Sequence, residues 1–186
     1  MSIVIVGITP TFVIAMSDGR VTNDQLPENL EEFKKICKIN QYVCIGITGH
    51  LQFFSEVFTK FNSIDENIKT LKVENAFNLF YKISKEVKSN NPVLGDSNIV
   101  VCGIDSNNNI RSIAFSTKNF IINNQDGKQS GLAIQVLSNY SGAFQIAQNN
   151  IIKCGNLIKG MEDTIKYIAT VDKTVNSNIF VERIDL

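Results

Sequence analysis

Ser2 stands directly behind the initiating methionine and directly ahead of a β-branched apolar run, Ile3-Val4-Ile5-Val6. Removal of Met1 would leave one residue carrying both a hydroxyl and a free α-amine, and such an amine, with an ordinary pKa of about 7.7–8.0, serves as a base near neutrality. A serine placed this way needs no histidine to take its proton. That matters because the chain has a single histidine, His50, on which any Ser-His-Asp or Cys-His mechanism would wholly depend. The plainer alternatives are that Met-Ser is a common chain start and that His50 is a polar residue opening a helix. Cys37, Cys44, Cys102 and Cys154 are scattered without CxxC spacing. They read as small buried hydrophobes in a reducing, cytoplasmic compartment, not as a zinc site or disulfide framework. No Gly-rich phosphate loop or metal-ligand spacing appears, so neither cofactor nor metal is expected.

The elements that must position Ser2 follow from length and periodicity. With 186 residues, 44% of them hydrophobic, the chain can bury one substantial core, and a single domain over 1–186 is expected. Eighteen basic residues balance eighteen acidic ones, so no positive field points to nucleic acid or an acidic membrane surface. The apolar start lacks a basic flank, and Ser17, Asp18 and Arg20 interrupt the pattern before a membrane span would be complete. Neither a signal peptide nor a transmembrane helix is expected.

The runs 3–8 and 12–16, split by Thr9-Pro10-Thr11, predict a buried hairpin. A polar stretch over 17–32, broken by Pro27, leads to a second pair, 35–39 and 42–48, joined at Asn40-Gln41. The period then changes. Leu51, Phe54, Phe58 and Phe61 share one helical face, and Ala76, Phe77, Phe80, Ile83 and Val87 share another after a linker over 63–72. The Phe53-Phe54, Phe58 and Phe61 set reads as helix core or subunit contact. Strands return at 98–104 and 110–115, with 119–122 a short addition, a polar loop over 123–131, and a further strand at 132–137. Helices through Ala143–Ile151 and Met161–Ala169 precede a last strand at 179–184. Near-continuous apolar strands need cover on both faces. The expected architecture is α+β: a four-layer αββα sandwich of two mainly antiparallel sheets flanked by helix pairs.

With Ser2 as the first residue, Asp18-Gly19-Arg20-Val21-Thr22, Lys35-Ile36-Cys37-Lys38-Ile39, Ile45-Gly46-Ile47-Thr48-Gly49 and Ala169-Thr170-Val171-Asp172 fall in an order and spacing that resemble the proteasome β-type peptidases. These include the bacterial proteasome-like peptidase that partners an ATP-dependent unfoldase, within the N-terminal-nucleophile hydrolases. The resemblance spans nearly the whole chain. It implies the N-terminal-nucleophile hydrolase fold, hydrolysis of peptide bonds through Ser2, a homo-oligomeric and stacked ring fed by an unfoldase, and peptides or unfolded proteins as substrate.

It also implies roles. Lys35 would be the cation that favours the Ser2 alkoxide and lowers the α-amine pKa, and Asp18 would hold Lys35. Gly49 would aim its backbone N–H at the developing oxyanion. Asp172 and Ser141 would support the N-terminus, while Arg20, Thr22 and Gly49 would bind the extended substrate, the last two through its backbone. Two choices stay open: an ungapped count from Ser2 favours Lys34, and Ser138 rivals Ser141. The chain departs from the family pattern in having Ser for the usual Thr, Val175 where a polar residue is usual, and Asn176 where Gly is common. Two other readings keep the fold: a non-catalytic scaffold or ring subunit with Met1 retained, and an amidase acting on a small amide.

Overall fold

The computed structural model describes residues 2–22, 30–64 and 68–186. Met1, on whose removal the Ser2 chemistry depends, lies outside the described residues, as do Pro27 and part of the 63–72 linker.

Strands β1 (Ile3–Ile8) and β2 (Phe12–Ser17) form the expected hairpin. Thr9 closes it: its Oγ1 accepts the Phe12 N–H at 3.0 Å, and its own N–H donates to the Phe12 carbonyl at 2.9 Å. Asn40 does the same between β3 (Ile36–Lys38) and β4 (Val43–Thr48), accepting the N–H groups of Tyr42 and Val43 at 2.7 and 2.9 Å. Helices α1 (Leu51–Asn62) and α2 (Val73–Asn90) follow, then β5 (Asn98–Ile104), β6 (Ile110–Ser116) and β7 (Ile122–Asp126). A one-turn helix, α3 (Gly127–Ser130), leads into β8 (Ala133–Ser138), the pair α4 (Ala143–Cys154) and α5 (Leu157–Val171), and β9 (Phe180–Asp185).

One sheet has the order β8-β1-β2-β9 and the other β3-β4-β5-β6-β7, with every pairing antiparallel. Alternation along β1 explains the layering. Val4, Val6 and Ile8 point into the core between the sheets, whereas Ile3 and Ile5 pack with Met161, Ile165 and Ile168 of α5. Val43, Ile45 and Ile47 of β4 meet Phe53, Val57, Phe77 and Phe80 of α1 and α2 on the far side. The fold is therefore the expected four-layer αββα sandwich, and it places the N-terminal end of β1 in the interior.

Two expectations need correcting. The face of α1 that packs on the sheet carries Phe53, Val57 and Phe61, not Leu51, Phe54 and Phe58, which are only partly buried. The helix has apolar residues over more than one face, so periodicity alone does not choose between them. The strand expected at 119–122 lies instead over Ile122–Asp126, within the expected loop. Its side chains are polar after Ile122, and most of the five are exposed, because it is an edge strand, held by backbone pairing to β6. Ahead of it Phe120 turns the chain at φ 55°. Among the described residues, no helix is long and apolar enough to cross a membrane.

Candidate active site

Asp18, one residue beyond β2, is fully buried and joins three segments. Its Oδ1 accepts the N–H of the Ser2–Ile3 peptide at 2.9 Å and pairs with Lys35 Nζ at 2.6 Å, while its Oδ2 accepts the Arg20 N–H at 3.0 Å. A buried carboxylate is tolerable only with such donors. The backbone adds to the join, since the Asp18 N–H donates to the Ile3 carbonyl at 3.3 Å. Ser2, itself only 6% exposed, is thus fixed against the end of β2.

Lys35 immediately precedes β3, whose pairing to β4 continues as the Ile47 N–H donates to the Lys35 carbonyl at 3.0 Å. The side chain is 5% exposed, and besides the carboxylate its Nζ donates to the Asp18 backbone carbonyl at 3.3 Å. Burial pushes the ammonium pKa below its ordinary 10.5, and the Asp18 carboxylate opposes that shift. Lys34 points elsewhere and pairs with Glu182 on β9. The lysine beside Ser2 is Lys35.

Ser2, Lys35 and Gly49 line one cleft of about 40 Å³ with Arg20, Thr22 and Ile47. Gly49 holds φ +115°, and a Cβ there would stand 2.5 Å from the Asp96 carbonyl oxygen. Only glycine fits both constraints, so the β4–α1 corner requires it. His50 follows at the N-cap of α1, exposed, with its N–H donating to Ser97 Oγ at 3.1 Å. Phe33 and Phe54, meeting edge-on at 5.7 Å, wall the cleft, which continues past Leu51 into a groove of about 1100 Å³ along α1. Sequence reading missed this wall: Phe33 sits in no periodic run, and Phe54 was expected in the helix core or at a subunit contact.

The remaining residues lie around this centre. The Arg20 guanidinium pairs with Glu31 at 2.9 Å and donates to the Lys173 carbonyl at 2.6 Å. Asp172 ends α5 and is 8% exposed, with its Oδ1 accepting the Thr174 N–H and hydroxyl at 2.9 and 2.5 Å. Val175 then buries itself in the core that holds Ile3. Of the rival serines, Ser138 stands opposite Ile3 in the β1–β8 register, while Ser141 is exposed in the turn before α4. Asn176, unassigned from sequence except as a departure, contacts the site directly: its Oδ1 accepts the Gly19 N–H at 2.8 Å. Among the described residues, no group of histidine, cysteine and carboxylate side chains is arranged to hold a metal ion.

No protein-family model and no curated protein matches the chain. Solved structures do. Eukaryotic HslV from Trypanosoma brucei matches with a TM-score of 0.65 at 15% identity, covering 99% of each chain. Anbu from Yersinia bercovieri, described as an ancestral beta-subunit, matches at 0.76 and 10% identity over 98% of this chain and 81% of that one. The Anbu complex from Pseudomonas aeruginosa, solved as a helical assembly, matches at 0.75 and 13% over the same shares. The chain has the fold of these proteins, the N-terminal-nucleophile hydrolase fold that the sequence resemblance implies.

Proposed function

We propose that this chain is a cytoplasmic N-terminal-nucleophile peptidase of the proteasome β type, acting in a self-assembled compartment. The observation that carries the reading is the buried Asp18–Lys35 pair set against the Ser2–Ile3 peptide at the head of a cleft. A fold needs no buried ion pair at that place, since apolar residues of similar volume would serve stability as well.

With Met1 removed, the Ser2 α-amine takes the hydroxyl proton as Oγ attacks the scissile carbonyl carbon. Lys35 favours the developing alkoxide and keeps the amine neutral through like-charge repulsion. The Gly49 N–H stabilises the oxyanion. Collapse of the tetrahedral species expels the amine half of the peptide, which takes the proton from the α-amine, and leaves an ester on Ser2. Water, deprotonated by the same amine, then attacks that ester, and the amine returns the proton to Ser2 Oγ as the acid product leaves. Asp172 supports the amine with one of the two rival serines, Ser138 opposite Ile3 or Ser141 in the turn beyond it. Thr22 and Gly49 hold the substrate backbone as an added strand, with Arg20 beside them in the cleft lining.

The groove beyond the inner cleft favours an extended peptide over a small amide, which would occupy the inner cleft alone. Self-assembly has two supports: the helical assembly of the Anbu complex, and apolar side chains exposed on the outer helix pair, Phe144 and Ile152 of α4 with Tyr167 of α5. An ATP-dependent unfoldase would feed such a compartment.

The test is hydrolysis of an unstructured peptide by the wild type and by Ser2→Ala. Turnover is expected in the first and loss of at least about 10³-fold in the second, with an unchanged melting profile. Equal turnover by both would overturn the mechanism.

A further inference from the structure

Asn176 uses every hydrogen-bonding group of its side chain on the wall of the site. Its Oδ1 accepts the Gly19 N–H at 2.8 Å, and its Nδ2 donates to the Glu31 carbonyl at 2.8 Å and to the Glu31 carboxylate at 2.7 Å. The reverse amide orientation would set donor against donor at Gly19 and acceptor against acceptor at Glu31, so the three partners fix it. The residue is 7% exposed. Glu31 is anchored further by Asn178, whose Nδ2 donates to the same carbonyl at 3.0 Å, and by Arg20. The fit is tight enough that a Cβ on Gly19 would lie 2.5 Å from the Glu31 carbonyl oxygen.

The Gly19 N–H and the Asp18 carbonyl belong to one planar peptide unit. One end of that plane is held by Asn176, and the other faces Lys35, whose Nζ donates to the Asp18 carbonyl. A rotation that releases the first contact also turns the carbonyl away from the ammonium. We propose that Asn176 is a positioning residue of the Ser2 site, fixing the Asp18–Gly19 peptide so that its carbonyl remains an acceptor for the Lys35 ammonium. The role rests on the peptidase reading for its catalytic meaning, but the contact it describes stands apart from turnover. It also gives Asn176 a use where the family commonly has Gly.

The charged groups acting on Lys35 are Asp18 at the end of β2, Arg20 beyond it and Glu31 on the neighbouring segment, joined by the Ser2 α-amine once Met1 is removed. Asn176 is neutral, so its replacement by Ala acts on Lys35 through orientation, not charge. Losing an acceptor disfavours the ammonium, so the Lys35 titration midpoint moves down.

The experiment is a ¹³C NMR titration of Lys35, assigned with Lys35→Arg, in the wild type, Asn176→Ala and Asn176→Asp. Asn176→Ala is expected to lower the midpoint by about half a pH unit or more. Asn176→Asp keeps an acceptor facing the Gly19 N–H, though it sets acceptor against acceptor at Glu31, and its negative charge acts with that acceptor to keep the midpoint from falling. Should the Ala variant fail to fold, Asn176→Leu, close to Asn in shape and without an acceptor, takes its place. In peptide assays the same displacement should appear as an alkaline limb moved to lower pH with KM unchanged, which a merely structural loss would not produce. A folded Ala or Leu variant with the wild-type midpoint would overturn the inference, as would a lowered midpoint in Asn176→Asp. A shifted midpoint in a chain whose wild type hydrolyses no peptide would support the positioning role and overturn the peptidase reading alone.

Discussion

Lys35 and Asp18 are each costly to bury and are stable only as a pair. Lys35→Met removes the countercharge, leaving the Asp18 carboxylate, among the described residues, with the Ile3 and Arg20 N–H donors. A loss of about 3–5 kcal/mol in urea denaturation is expected, together with loss of peptide hydrolysis. The pH dependence has a definite sign. Burial lowers the Lys35 pKa in the folded chain, so between that value and 10.5 the unfolded chain binds more protons. The contribution of this side chain to stability therefore rises with pH across that window, and the wild type should gain on Lys35→Met as pH increases through it. Ser2, Asp18 and Gly49 were legible as a set through the order and spacing that resemble the proteasome β-type peptidases. Singly, a serine behind Met1, a carboxylate beside Gly19 and a glycine before a helix suit a plain chain start, turn and corner. Counting could not separate Lys34 from Lys35, since one residue of loop length between β2 and β3 exchanges them. Their burial and partners separate them, Lys34 joining Glu182 at the surface and Lys35 joining Asp18 inside. Asn176 was visible only as a departure, because its partners lie more than a hundred residues away.

At the scale of elements, α1 serves two purposes on adjacent faces. Phe53 is fully buried against the sheet, whereas Phe54 is half-buried at the wall of the cleft. Phe53→Ala is expected to destabilise by about 3–5 kcal/mol in urea denaturation. Phe54→Ala, which loses the Phe33 contact without opening the core, is expected to cost about 1 kcal/mol while raising KM for peptide several-fold. Reversal of that contrast would mean that the periodic face read from the sequence, not the observed one, packs on the sheet. The β4–α1 corner gives a sharper test. Gly49→Ala must strain φ and meet the Asp96 carbonyl, so a loss of about 1–3 kcal/mol is expected, along with slower acylation of Ser2. Strands with both faces buried were legible from apolar runs, as β1, β4 and β5 show. β7 was not, because Ile-Asn-Asn-Gln-Asp has a single apolar residue and no alternation, and pairs through its backbone at a sheet edge.

At the scale of the whole molecule, the two sheets bring Ser2, Lys35 and Gly49 from three separate segments to one cleft, and the outer helices leave apolar surface uncovered. Ile152 of α4 is 73% exposed. Native mass spectrometry is expected to find assemblies above the monomer, and Ile152→Lys to reduce them. A strict monomer at micromolar concentration would count against a compartmental peptidase without touching the chemistry of Ser2. That chemistry is tested most directly by intact-mass measurement of the purified chain after brief exposure to an electrophile selective for N-terminal hydroxyl nucleophiles. Loss of Met1 with a single adduct on Ser2, absent from Ser2→Ala, is the predicted result. A chain that retains Met1 and takes no adduct would contradict the account and leave a scaffold with a blocked site.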